Sequence, residues 1–190
     1  MDDFAESIIE RETVLANLDH ARDDFEQALA AVPDEALDWM PAGEEYSFGT
    51  ILAHMRRSIE MYSAILDLMR EAEYEEVRLA GIPGDYATVE EQPTTYEEDM
   101  ETTLRHGAAV KHDRQGAVDA LDKAHDRLAG QLRELAAEEY SRAAPVVYAG
   151  TTEAYPTRAS DIIQWITDHY NEHVVQYGQM LKQWQKEKGA

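Results

Sequence analysis

Ser160-Asp-Ile-Ile-Gln-Trp165-Ile-Thr-Asp-His169-Tyr-Asn-Glu-His173-Val-Val-Gln176-Tyr177-Gly-Gln-Met180-Leu-Lys-Gln-Trp184 is the stretch on which the fold turns. Ile162, Ile166, His169, His173, Tyr177, Met180 and Trp184 recur at intervals of three and four, which is one stripe of an α-helix. The stripe is apolar except at His169 and His173. Residues i and i+4 project from one helix face, close enough for two imidazoles to share one ion. A packed core rarely takes two adjacent histidines unless something pairs with them. A divalent metal would do so, and carboxylates or backbone groups are the structural alternative.

The same period recurs upstream. Ile8, Leu15, Leu18, Phe25 and Leu29 predict a first helix over 4–32, stopped by Pro33. A loop with Trp39, Pro41 and Gly43 follows, and Ser47 is placed to cap a second helix. That helix carries Ile51, Met55, Ile59, Tyr62, Leu66 and Met69 and fades near Glu76. Residues 81–93 read as a long connection, and Thr95-Tyr-Glu-Glu98 has the form of a capping box. Beyond it the chain reads as helical to about Glu139, with Gly107, Gly116 and the polar 112–115 marking a break and a longer helix from about Arg114. Val118, Leu121, Leu128, Leu132 and Leu135 give the longer piece its buried face. Two short β-prone runs around Ala149-Gly150 suggest a small hairpin, and Ser160 opens the last helix, which runs to about Lys186. Four long amphipathic helices without strong strands predict an all-α, four-helix bundle, with a long connection that allows a crossover. At 190 residues, one domain over 1–190 is expected.

Composition removes several functions. The formal net charge is −22, from 39 acidic and 17 basic residues, so phosphate backbones and anionic membranes are repelled. Lysine occurs only at 111, 123, 182, 186 and 188. Scarce lysine with heavy acidity fits solubility in high salt, and equally an acidic protein from an arginine-rich proteome. With no cysteine, disulfides and thiolate ligands are excluded, and any thiol chemistry must use an external thiol. No apolar run approaches a membrane span, the acidic start is the reverse of a signal peptide, and a cytoplasmic location follows by default.

Two histidines hold a metal poorly. Of the other five, His54 is best placed, one turn into the second helix beside its apolar face. His20 has charged neighbours, His106 and His112 fall in the expected break, and His125 lies toward the bundle edge. Three neutral imidazoles suit zinc, nickel or iron and leave a coordination position open, the feature that makes a site catalytic rather than structural. His169-Tyr-Asn-Glu172-His173 also has the form H-x-x-E-H. That protease signature needs a distant acidic ligand afterwards, whereas one helix of 17 residues follows. Glu172 also points roughly 80° from the mean histidine direction at 100° per residue, which leaves it a flanking role. Gln176 lies about 40° from that direction, where its amide can orient a ligand. Tyr170 and Tyr177 flank the face as phenol donors or as plain core.

Trp39-Met-Pro41, Tyr46-Ser-Phe-Gly-Thr-Ile-Leu-Ala-His54 and His169-x3-His173-x2-Gln176, in that order, resemble the DinB/YfiT-like family of small helical metalloproteins. The resemblance implies a crossover four-helix bundle and a divalent ion held by His54, His169 and His173. It also implies a homodimer acting on a small-molecule substrate. Characterised relatives activate a low-molecular-weight thiol, such as bacillithiol or mycothiol, for S-transfer or isomerisation. Arg56, Arg57 and Arg158 are the cationic candidates to receive an anionic thiol. On this reading the chain leans toward an enzyme, a thiol S-transferase-like protein or hydrolase. The other reading is a non-catalytic stress or interaction protein whose ion staples the bundle.

Overall fold

A computed structural model describes residues 2–79, 96–148 and 151–189. The chain runs α1 (Asp2–Ala30), a 3-10 turn (Asp34–Ala36), α2 (Phe48–Glu71), β1 (Val77–Arg78), α3 (Tyr96–Val110) and α4 (Arg114–Glu134). It continues through α5 (Ala137–Ser141), β2 (Ala144–Val147), β3 (Tyr155–Thr157) and α6 (Ala159–Lys188). The connection over 81–93 and the start of the capping box, Thr95, lie outside the described residues.

The helices pack as the stripes require. Leu15, Leu18, Phe25 and Leu29 of α1 are buried with Ile162, Ile166, Tyr170 and Tyr177 of α6 and Ile51, Met55 and Ile59 of α2. Each such side chain, withdrawn from water, contributes about 1.5–3 kcal/mol. α1 packs on α6, α6 on α2 and α2 on α4. The ring is closed by side chains of α1 and α4, with Asp19 on His125 and Arg22 facing Asp126. α1 and α2, consecutive in sequence, therefore take opposite corners, which is the crossover bundle the periodicity allowed.

The helix ends show which sequence signals carried. Ser47 caps α2, its Oγ accepting from Thr50 N–H at 3.1 Å. α1 stops before Pro33, and carbonyls at and just beyond its end are satisfied from afar: Arg114 donates to Leu29 O and to Val32 O, the latter at 2.8 Å. α2 ends at Glu71, short of Glu76, because Glu73 and Tyr74 adopt left-handed φ of 51° and 65°. Arg142 holds that reversal, donating to Glu73 O at 3.0 Å and lying 4.6 Å from the Tyr74 ring centre. Arg158, not Ser160, occupies the cap position of α6; its N–H donates to Asp161 Oδ2 at 3.0 Å.

The glycines correct the expected break. Gly107 lies inside α3, and a Cβ there would stand 2.5 Å from Thr50 Cα. Its lack of a side chain lets α3 approach the first turn of α2. Gly116 lies inside α4, donating its N–H to the Asp113 cap at 2.9 Å. The break is confined to 111–113. α4 ends at Glu134, and α5 is a separate turn. The hairpin forms as β2 against β3, antiparallel, and β1 adds a parallel edge that periodicity did not predict, being two residues long.

Candidate metal centre

α2 and α6 run antiparallel, and three contacts give the register. The Tyr177 hydroxyl donates to Phe48 O at 2.9 Å, His54 meets His169 and His173, and the Tyr62 ring lies 5.9 Å from that of Trp165. This register brings His54 across the helix pair to the two histidines of α6. His169 Nε2 lies 3.0 Å from His54 Nε2 and 3.0 Å from His173 Nε2. The three ligand atoms lie within 4.8 Å of one another. Two nitrogens bound to one tetrahedral zinc are about 3.3 Å apart, within this range. His173 is buried and the other two are half-buried.

The environment keeps all three imidazoles neutral. Burial is the main cause, pushing His54 down to about 3 and His169 to about 4. Mutual repulsion among the imidazoles adds to both, and Arg57 adds to His54. His173 is also lowered by burial, against smaller opposing effects of Gln176 and Glu172. Neutral imidazole is the form that offers a lone pair to a metal.

The hydrogen bonds test the fit of an ion. His173 Nδ1 lies 2.8 Å from Gln176 Oε1, an acceptor, so its proton sits on Nδ1 and its Nε2 carries a lone pair. His169 Nε2 then has two nitrogens at 3.0 Å and at most one proton to share. If it donates to His173, the contact with His54 rests on a shared proton. If it accepts from His54, it faces His173 lone pair to lone pair. A cation among the three Nε2 atoms satisfies all of them at once, so the donor set fits a divalent metal.

The remaining expected residues are sorted by the packing. Gln176 contacts His173 directly. Glu172 is exposed and acts on His173 through its charge. Tyr170, expected as a flanking phenol donor or as plain core, is turned into the core, where its hydroxyl donates to His125 Nδ1 at 3.3 Å. His125, expected at the bundle edge, is fully buried, and its Nε2–H donates to Asp19 Oδ1 at 2.9 Å. His106 lies within α3 rather than in the break and pairs with Arg56 at 2.8 Å. His20 is exposed near Asp24, and His112 is exposed. The three arginines are engaged by carboxylates: Arg56 by Glu60, buried Arg57 by Asp99 and Arg158 by Asp161.

One neighbour stood in the segment that resembles the family but was not among the expected site residues. The Tyr46 ring stacks on His54, with centroids 5.3 Å apart and planes 21° apart. It restricts the His54 ring from the loop side. Tyr46 stands eight residues before His54 on a different element, so helical period cannot relate them.

A family model described as the DinB superfamily matches residues 17–177. Among solved structures, YfiT from Bacillus subtilis, described as a probable metal-dependent hydrolase with an unusual four-helix bundle topology, superposes with a TM-score of 0.69 at 14% identity. The alignment covers 92% of this chain and 87% of that one. A mycothiol-dependent maleylpyruvate isomerase superposes with a TM-score of 0.60 at 16% identity, over 88% of this chain. Here the chain spans only 60% of the isomerase. These likenesses show the fold. No curated protein matches significantly, and among the described residues no helix is long and apolar enough to cross a membrane.

Proposed function

The chain belongs to the DinB superfamily, and on that premise we propose that it is a divalent-metal-dependent enzyme acting on a small molecule. The observation that carries this reading is the convergence of His54, His169 and His173 Nε2, with Gln176 fixing the His173 tautomer. Zinc, nickel or iron in that centre would supply Lewis acidity, lowering the pKa of a low-molecular-weight thiol or of water presented at its open side. The chain's own part is to supply neutral imidazoles, to orient them through Gln176 and Tyr46, and to keep the centre half-enclosed between α2 and α6. Group transfer from an external thiol or hydrolysis would be the reaction class. The two structural neighbours, described as a mycothiol-dependent isomerase and a probable metal-dependent hydrolase, support one of these each. The proposal includes a homodimer and no nucleic-acid or membrane partner, in keeping with the charge of −22.

The test is the metal content of protein purified without a histidine tag, wild type beside His173→Ala. Near-stoichiometric metal, lost in the variant, is expected. Metal-dependent consumption of a thiol or hydrolysis of a chromogenic ester, abolished by His54→Ala, completes the case. Bound metal that raises Tm by several degrees with no turnover in either assay would instead identify a structural staple of α2 to α6.

A further inference from the structure

Tyr62 of α2, Trp165 of α6, and Tyr148, Tyr155 and Pro156 of the β2–β3 hairpin region line an open cup of about 670 Å³. That volume suits a drug-sized ligand. Its walls are two tilted ring pairs, Tyr62 with Trp165 at 5.9 Å and Tyr148 with Tyr155 at 6.3 Å. Trp165 is 39% exposed and Tyr155 49%, a large aromatic area left facing water. The Tyr148 hydroxyl is engaged with Thr157 Oγ1 at 3.0 Å, so Tyr148 offers chiefly its ring. Among the described residues, no charged side chain lines the cup. An anion would meet no cation among them, and the charge of −22 opposes its approach.

The cup lies on the same helix pair, α2 and α6, that carries the histidines. Trp165 precedes His169 by one helical turn, about 6 Å along the axis at 1.5 Å per residue. On α2, Tyr62 follows His54 by eight residues, about 12 Å along the axis, and the antiparallel register pairs it with Trp165. Tilted rings present both edges and faces, the arrangement in which another ring gains electrostatically as well as by burial.

We propose that this cup holds an uncharged aromatic ring of the substrate, whose reacting end extends along the α2–α6 pair toward the three-histidine centre. The placement of the reacting end rests on the metal-enzyme reading; the ring site stands on the cup itself. A saturated ring of equal size fills the same space without the edge-to-face gain, so it binds more weakly.

Binding of p-cresol and of 4-methylcyclohexanol is measured by ligand-observed NMR on the full chain, metal-free and then loaded with cobalt(II) or zinc. Trp165→Ala and Tyr155→Ala alter partly exposed side chains, and circular dichroism confirms their folding. The expected result is p-cresol binding to metal-free protein, weakened at least tenfold in each variant, with 4-methylcyclohexanol at least fivefold weaker than p-cresol. Cobalt should broaden the bound p-cresol resonances relative to zinc. Equal binding of the two probes, or no p-cresol binding, overturns the ring site. So does a change of oligomeric state in either variant with p-cresol affinity unchanged, which would show the face to be covered by a second copy. If cobalt does not bind, the metal reading fails, while the metal-free affinities still decide the ring site. Cobalt that binds without broadening p-cresol separates the cup from the centre and overturns the proposal.

Discussion

His173 Nδ1 and Gln176 Oε1 stand 2.8 Å apart, and this contact decides which nitrogen of His173 is free. With the proton held on Nδ1, Nε2 is committed as an acceptor before any ion arrives. The ligand geometry is thus set within a single turn of α6.

Gln176→Leu removes that acceptor and should weaken zinc binding about 10–100-fold. Gln176→Glu keeps an acceptor and should bind zinc at least as well as the wild type. Competition with a chromogenic chelator measures both. Unchanged affinity in Gln176→Leu would show that the contact does not orient the ligand.

Acid should act on the apo fold in a definite direction. His54 and His169 are lowered to about 3 and about 4, mainly by burial. The unfolded chain takes up protons from about pH 6.5 downward while the folded centre does not, so this contribution to stability is lost as pH falls from 6.5 through 4 toward 3. Urea melts of metal-free protein, comparing wild type with His54→Phe, should show the wild type losing more stability over that window. Zinc affinity should fall only as pH drops well below the ordinary histidine range, because all three imidazoles are held below it.

Glu26 titrates the opposite way. Burial, then a hydrogen bond with Asp122, raises Glu26 to about 7. A raised carboxylate contributes stability that is complete below its unfolded value of about 4.5 and lost as pH rises through 7. Glu26→Gln imitates the protonated form and should stabilise the protein at pH 8 by about 1 kcal/mol, discounted for partial exposure. The gain should vanish by pH 5. Denaturant midpoints at the two pH values give the answer, and a gain independent of pH would contradict it.

Glycines in helices should respond according to what surrounds them. Gly107→Ala drives a Cβ against the backbone of Thr50, at 2.5 Å from Cα, and should cost about 1–3 kcal/mol. At Gly130 and Gly178 an added Cβ meets nothing within 4 Å beyond its own helix backbone and chain neighbours, so alanine there should stabilise by about 0.5–1 kcal/mol. Thermal melts of the three variants should fall on opposite sides of the wild type.

The amino-acid sequence alone determined the features that short-range physics encodes. The 3.6-residue period marked the long helices, Pro33 stopped α1, Ser47 capped α2, and His169 and His173 were aligned by their spacing on one helix. Tertiary packing decided the rest. It set the antiparallel register that carries His54 across 115 residues of chain to His169. It buried His125 against Asp19 and Tyr170 and turned the Tyr170 hydroxyl away from the centre. It also made Gly107 a contact with Thr50 rather than a break. A helical period fixes which residues share a face, whereas the rotation of that face and its partner depend on side chains interdigitating between helices distant in sequence. The four-ring cup arises from that same docking, so no local pattern announced it.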